Sequence, residues 1–193
     1  MYESIKEKVF EKINNVERFN HSLRVVEMAL FLNKRFNFQV DEEKIKLAGI
    51  LHDYAKEMSF EESVKYLEKH LTLVEIVKAK RSPAVLHSIV GYYLVQEELN
   101  ITDEEILKAI LNHTTGNANM SKLEELIFVS DAVEETRTYN GVEKIREKVL
   151  DDFYMGMLYM IEETLKHLKE KNWYINPKTI ETYEYYCGRI KKI

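Results

Sequence analysis

Helix breakers are nearly absent from this chain, with only 2 prolines and 6 glycines in 193 residues. Between them apolar residues recur at helical spacing almost from end to end, as in Leu47, Ile50, Leu51 and Tyr54. The expectation is an all-α, compact multi-helix bundle. Start signals support it: "SFEE" at Ser59, "TDEE" at Thr102 and "SKLE" at Ser121 each read as a capping box, a glutamate three residues on reaching back to the cap. In "SPAVLHS" and "NPKTIET" a cap residue precedes proline at the first helical position, where the missing N–H is not needed. The helices expected cover roughly 2–14, 19–37, 41–56, 59–70, 82–99, 102–114, 121–137, 141–171 and 176–191. Gly49 and Gly91 fall inside helical patterns, where the lack of a side chain lets neighbouring backbones approach.

The length suits one domain with a substantial core, and no segment resembles a linker, so 1–193 is read as a single unit. Hydrophobic content of 45% beside 32% charged residues is a globular balance. The single cysteine, Cys187, excludes a disulfide framework within the chain. No apolar run is long enough to span a bilayer, and "MYESIKEKVFEKI" lacks the apolar stretch of a signal peptide, so the expected location is cytoplasmic. A net charge of −5 argues against nucleic acid or an anionic membrane as partner, but permits a local basic pocket for a phosphorylated small molecule.

The informative residues are polar ones in apolar places. His21, His52, His87 and His113 begin, interrupt or end apolar helical patterns, while His70 and His167 lie among lysines and glutamates and read as solvated. Asp131 follows a nearly all-apolar turn in "LIFVSDAVEETR", and a buried aspartate needs a cation or several donors. Singly, each has a plain reading as a hydrogen-bonded core residue. Jointly, one bound metal accounts for His21, His52, Asp53 and Asp131. Adjacent helical side chains such as His52 and Asp53 diverge by about 100° and can approach an ion from two sides of one turn. A mixed nitrogen and oxygen shell suits iron, manganese or zinc rather than a thiolate site.

The order H, HD, H, H, D resembles that of the HD-domain metal-dependent phosphohydrolases. The stretches "RFNHSLRVVEMA", "LAGILHDYAKE", "VLHSIVGYYL", "AILNHTTG" and "VSDAVEETR", with a looser match at "INPKTIETY", resemble the YqeK-type branch, the symmetrical diadenosine tetraphosphate hydrolases. The motif core is about 18–137, with the helices expected over 141–191 completing the pocket. The resemblance implies metal ligation by His21, His52, Asp53 and Asp131, with iron the expected ion and manganese or another divalent metal the alternative. It implies substrate contacts from Arg18, Lys56, His87, His113, Thr114 and Arg137, with catalytic roles for Asp53, His87 and His113.

His87 and His113 are also where related HD proteins build a two-metal centre; here they are read as facing phosphate. Lys56 follows the HD pair by one turn and Arg137 follows Asp131 by six residues, so both can bring positive charge to phosphate. The plain reading of each is a solvated residue favouring a helix C-terminus, and that of "HTTG" is a helix stop on glycine. Tyr174 is a candidate for adenine stacking. Asn176 departs from the family pattern, standing where a histidine is expected before the proline. The expected reaction is hydrolysis of a nucleoside polyphosphate, diadenosine tetraphosphate to two ADP. The alternatives are a (deoxy)nucleotide 5′-phosphatase and a noncatalytic nucleotide sensor, and oligomeric state, including a homodimer, is left open.

Overall fold

The computed structural model describes residues 1–190, the last by its backbone only. Eleven α-helices account for the described fold: α1 (Tyr2–Lys12), α2 (Val16–Arg35), α3 (Glu42–Leu51), α4 (Phe60–Leu67), α5 (Leu73–Lys80), α6 (Leu86–Leu99), α7 (Glu104–Asn112), α8 (Lys122–Val133), α9 (Val142–Asp151), α10 (Phe153–Glu170) and α11 (Pro177–Ile190). A short 3-10 turn, Pro83–Val85, leads into α6. No described helix is long and apolar enough to cross a membrane.

The all-α expectation holds, with instructive differences at the ends. The Ser59–Glu62 and Ser121–Glu124 capping boxes are both present. At α7 the cap is Asp103 rather than Thr102, its carboxylate accepting from the Glu105 and Ile106 N–H groups, a charged acceptor one residue closer to the helix. Helix α2 begins at Val16, ahead of the expected 19, because the Asn15 side chain caps it. Helix α5 was not expected at all, although Thr72 and Glu75 form a third capping box at its start. Ser82 makes no cap bond; Asn176 does cap α11, its side-chain oxygen accepting from the Lys178 N–H at 3.1 Å. Residue 191, the expected end of that last helix, lies outside the described residues.

The largest correction concerns 141–171, expected as one helix. The chain breaks at Asp152, whose backbone is extended and whose carboxylate caps α10. The resulting α9–α10 hairpin closes tightly at Gly156, where an added Cβ would stand 2.3 Å from the Val149 Cα and backbone nitrogen. Helix propensity favours alanine by about 1 kcal/mol, but overpacking against unyielding backbone costs about 1–3 kcal/mol. Gly156→Ala is therefore expected to lower the urea midpoint, and an unchanged or raised midpoint would show that the hairpin can open freely.

Helices α2, α3, α7 and α8 pack on one another in the centre of the described residues. Gly49 sets the α2–α3 approach, since its Cβ would lie 2.6 Å from Val26 Cγ2 and 3.2 Å from Val26 Cα; at Gly91 the pressure is milder, 3.2 Å from Ile110 Cγ2 alone. Around this layer Ile45, Leu51, Ile110 and Leu126 are wholly buried, and the apolar cluster continues outward to Val149, Met157 and Tyr186. Four helices thus meet closely enough for residues at their ends and inner faces to share one small volume.

Candidate active site

Helix α3 stops at Leu51, so the HD pair lies at the helix end and not within the helix expected over 41–56. His52 occupies the C-cap and donates from Nδ1 to the Gly49 carbonyl at 2.7 Å. His113 repeats the device at the C-cap of α7, Nδ1 donating to the Ile110 carbonyl at 2.7 Å. Each ring thereby satisfies a carbonyl that the helix end would leave without a partner, and each is fixed in the tautomer that presents a bare Nε2. His21 comes from α2, His87 from the first turn of α6 and Asp131 from α8.

These side chains converge. His21 Nε2 is 3.0 Å from Asp131 Oδ1, while His52 Nε2 is 3.7 Å from that oxygen and 3.8 Å from Asp53 Oδ2. On the other side of Asp53, Oδ1 lies 3.1 Å from His87 Nε2 and 3.6 Å from His113 Nε2, and the two imidazole nitrogens are 3.0 Å apart. Three overlapping triads have donor atoms within 4.8 Å of one another: His21, His52 and Asp53; His52, His113 and Asp131; and Asp53, His87 and His113. Asp53 belongs to two of them.

Burial pushes the His52 and His87 imidazoles down to about 4, so both are neutral at pH 7. Burial alone would raise Asp53, but its neighbours His52, His113 and His87 in their protonated forms, together with Lys56, outweigh it and hold the carboxyl well below its usual range. Asp131 is likewise held low against burial by His21, His52 and Arg137. His52 is 0% exposed, and its Nε2 has no hydrogen-bond partner among the described residues. A buried lone pair facing two ionised carboxylates is unfavourable unless a cation lies between them. The donor set therefore fits a divalent metal with nitrogen and oxygen ligands.

Other expected site residues divide into those at the cluster and those farther off. Lys56 Nζ reaches His87 Nε2 at 3.0 Å and Asp53 Oδ1 at 3.4 Å. Arg137 bonds the Asp131 carboxylate, donates from Nε to the Asp131 carbonyl at 2.8 Å and approaches His21 Nε2 at 3.2 Å. Thr114 lines the cleft with its hydroxyl 3.3 Å from Ser88 Oγ, and Gly116 supplies the left-handed turn (φ 66°) expected of "HTTG". Arg18, one turn before His21, is paired with Glu57 at 2.7 Å and lies outside the cleft lining. Tyr174 and Asn176 line the cleft, Asn176 donating to Ser82 Oγ at 3.2 Å. Of the two histidines read as solvated, His167 is exposed, but His70 is half-buried, stacked on Tyr93 at 4.2 Å and paired with Glu97.

Glu134 was not singled out by the sequence. It is 1% exposed and accepts from His21 Nδ1 at 3.2 Å, Arg24 Nε at 3.1 Å and the Thr136 N–H at 2.8 Å. Its signal was one turn of spacing, Glu134 after Asp131 and Arg24 after His21, on two helices that must face each other. Carboxylates behind metal-bound histidines fix ring and tautomer, and their loss typically weakens metal affinity by about 10–100-fold. Glu134→Gln is expected to show that loss in a chelator competition while keeping its fold, and unchanged affinity would leave Glu134 a structural partner of Arg24 alone.

The cluster opens into a cleft of about 1010 Å³ that Lys56, His87, His113 and Asp131 share with residues of α10 and the α10–α11 connection. A helical bundle that gathers imidazoles and carboxylates from separate helices beside an open cleft is the layout of an HD-domain hydrolase, and the HD domain matches residues 18–136, the segment carrying every one of these side chains. The symmetrical bis(5′-nucleosyl)-tetraphosphatase of Halalkalibacterium halodurans is 37% identical over 166 residues, covering 86% of this chain and 87% of that one. Its counterparts are 34% identical in Bacillus subtilis, covering 87% and 88%, and 34% identical in Staphylococcus aureus, covering 94% and 90%. A crystal structure from Clostridium acetobutylicum, described as a predicted HD superfamily hydrolase involved in NAD metabolism, matches with a TM-score of 0.88 at 30% identity over 98% of both chains. The chain belongs to the HD-domain family and, within it, to the symmetrical bis(5′-nucleosyl)-tetraphosphatases.

Proposed function

We propose that this chain hydrolyses diadenosine tetraphosphate at the middle of its phosphate chain, giving two ADP, with a divalent cation, iron in the first instance, held by His21, His52, Asp53 and Asp131. The observation that carries the reading is the bare Nε2 of buried His52, facing the Asp53 and Asp131 carboxylates beneath a cleft that also holds Lys56. The names and coverage of the relatives select the substrate within that chemistry. We take residues 1–193 as one HD-type unit working in the cytoplasm; in support, one apolar cluster runs from Ile5 to Tyr186, and α10 lines the same cleft as the HD residues.

Held by His21, His52, Asp53 and Asp131, a divalent cation would supply Lewis acidity toward water and toward a phosphoryl oxygen. The water oxygen bonds to one of the two middle phosphorus atoms, the P–O bond to the central bridging oxygen breaks, and its electron pair leaves with the second ADP. Lys56 beside His87 neutralises charge that grows on the departing phosphate. His87 and His113 share a polar contact at 3.0 Å and are placed to take the water's proton and pass one to the leaving oxygen. Arg137 holds the Asp131 carboxylate and its carbonyl, keeping that ligand in place. With the chain's register fixed on these groups, one bond only lies within attack distance.

Ion-exchange separation of initial-rate products tests the reading, and ADP alone is the expected result. AMP and ATP in equal amounts would overturn the bond choice. Inorganic phosphate from mononucleotides at a higher kcat/KM would replace the reading with a 5′-phosphatase, and tight nucleotide binding with no product would replace it with a sensor.

A further inference from the structure

The cleft extends beyond the imidazole cluster to the connection between α10 and α11, and there it carries aromatic surface that packing does not explain. Trp173 is 60% exposed and Tyr174 is 37% exposed, yet both belong to the cleft wall. Their backbone is fixed: Asn172 adopts the left-handed conformation (φ 53°), its N–H bonds the Lys169 carbonyl, and the Trp173 N–H bonds the Leu168 carbonyl at 2.9 Å. This is a Schellman-type helix end, which usually tucks an apolar side chain back onto the helix. Trp173 instead stands out, edge-to-face with His167 at a ring-centroid distance of 5.8 Å. Tyr174 has one face taken by Arg81, whose guanidinium lies 4.3 Å from the ring centroid. Arg81 has no carboxylate partner among the described residues, and it also lines the cleft.

We propose that Trp173 is a stacking platform for one purine base of a two-base nucleoside polyphosphate, with Arg81, braced on Tyr174, meeting the phosphate between that base and the imidazole cluster. The inference rests on the hydrolase reading and adds where one base of the substrate would lie. An exposed indole on a hydrogen-bonded turn meets a base with little backbone ordering cost, because the turn is already set. A guanidinium stacked on an aromatic ring keeps its N–H edge free for phosphate oxygens. The base is assigned to Trp173 because Arg81 already covers a face of Tyr174.

Trp173 is the chain's only tryptophan, so binding can be read without turnover. Metal-loaded protein is titrated with diadenosine tetraphosphate carrying a methylene group in place of the central bridging oxygen, and with inorganic tripolyphosphate, while indole fluorescence is recorded. The expected result is saturable quenching by the dinucleotide analogue and none by tripolyphosphate. Trp173→Ala should bind the analogue roughly tenfold more weakly by equilibrium dialysis, the loss of one base stack, and Trp173→Phe should recover most of that affinity. Analogue that binds in dialysis with silent fluorescence and undiminished affinity for Trp173→Ala overturns the platform and leaves the hydrolase reading standing. Analogue that does not bind at all overturns both.

Discussion

Wild-type protein is expected to leave purification with a bound divalent metal, and Asp53→Ala protein without it and without measurable hydrolysis of the dinucleotide. No other carboxylate serves two of the three candidate triads. Its Oδ1 faces His87, His113 and Lys56, and its Oδ2 faces His52. A methyl group removes both candidate ligand oxygens and the carboxylate that faces Lys56 and the imidazoles of His52, His87 and His113. Because that loss could also unsettle the fold, Asp53→Asn is the companion variant: it keeps the shape, supplies a poorer ligand and should lose metal with helical content retained. Elemental analysis and circular dichroism of the three proteins decide the matter. Wild-type protein that holds no metal, and stays inactive when iron or manganese is added, would falsify the metal assignment.

Lys56→Ala should lower kcat/KM by roughly 10–150-fold, the worth of about 1.5–3 kcal/mol for a hydrogen bond to a charged group, with metal content unchanged. The ammonium sits beside His87 and Asp53 at the cleft, where it can meet phosphate without being a ligand itself. Lys56→Arg should recover only part of the loss, since a planar fork does not reproduce a compact point charge. Wild-type kcat/KM in Lys56→Ala would return the residue to the solvated role common for a lysine near a helix end. Arg137 is different: it bonds both the side chain and the carbonyl of Asp131, so Arg137→Ala should lose metal affinity along with rate. The sequence placed Lys56 and Arg137 in one role as phosphate contacts; the contact of Arg137 with Asp131 adds a second role to the expectation for it.

What was legible in the sequence is what local chemistry dictates. Ser59 and Ser121 start helices because their side chains, with Glu62 and Glu124, satisfy orphaned N–H groups within four residues. The convergence of His21, His52, Asp53 and Asp131 was inferred because several polar exceptions in apolar helices share one economical explanation. The break at Asp152 was not legible, because the apolar period runs unbroken through Val149, Phe153 and Met157 and only the fold decides that two short helices pack better than one long one. Glu134 was hidden for a related reason. A glutamate beside another glutamate near a helix end reads as solvated, and it becomes an orienting group only when α2 brings His21 and Arg24 against it.

His21 and Asp131 touch across 110 positions of sequence, and the proposed ligand set joins α2, the end of α3 and α8, which are far apart in the chain. No stretch of the unfolded chain can offer that shell, so a cation bound there belongs to the folded form alone. Mass action then makes the ion a clasp: free metal at 100 times its dissociation constant adds about 2.7 kcal/mol to the unfolding free energy. The same linkage ties the chain's lifetime to metal supply. Under scarcity the carboxylates at the junction of α2, α3, α7 and α8 would keep only Lys56 and Arg137 as counter-charges, and the fold would lose that increment of stability.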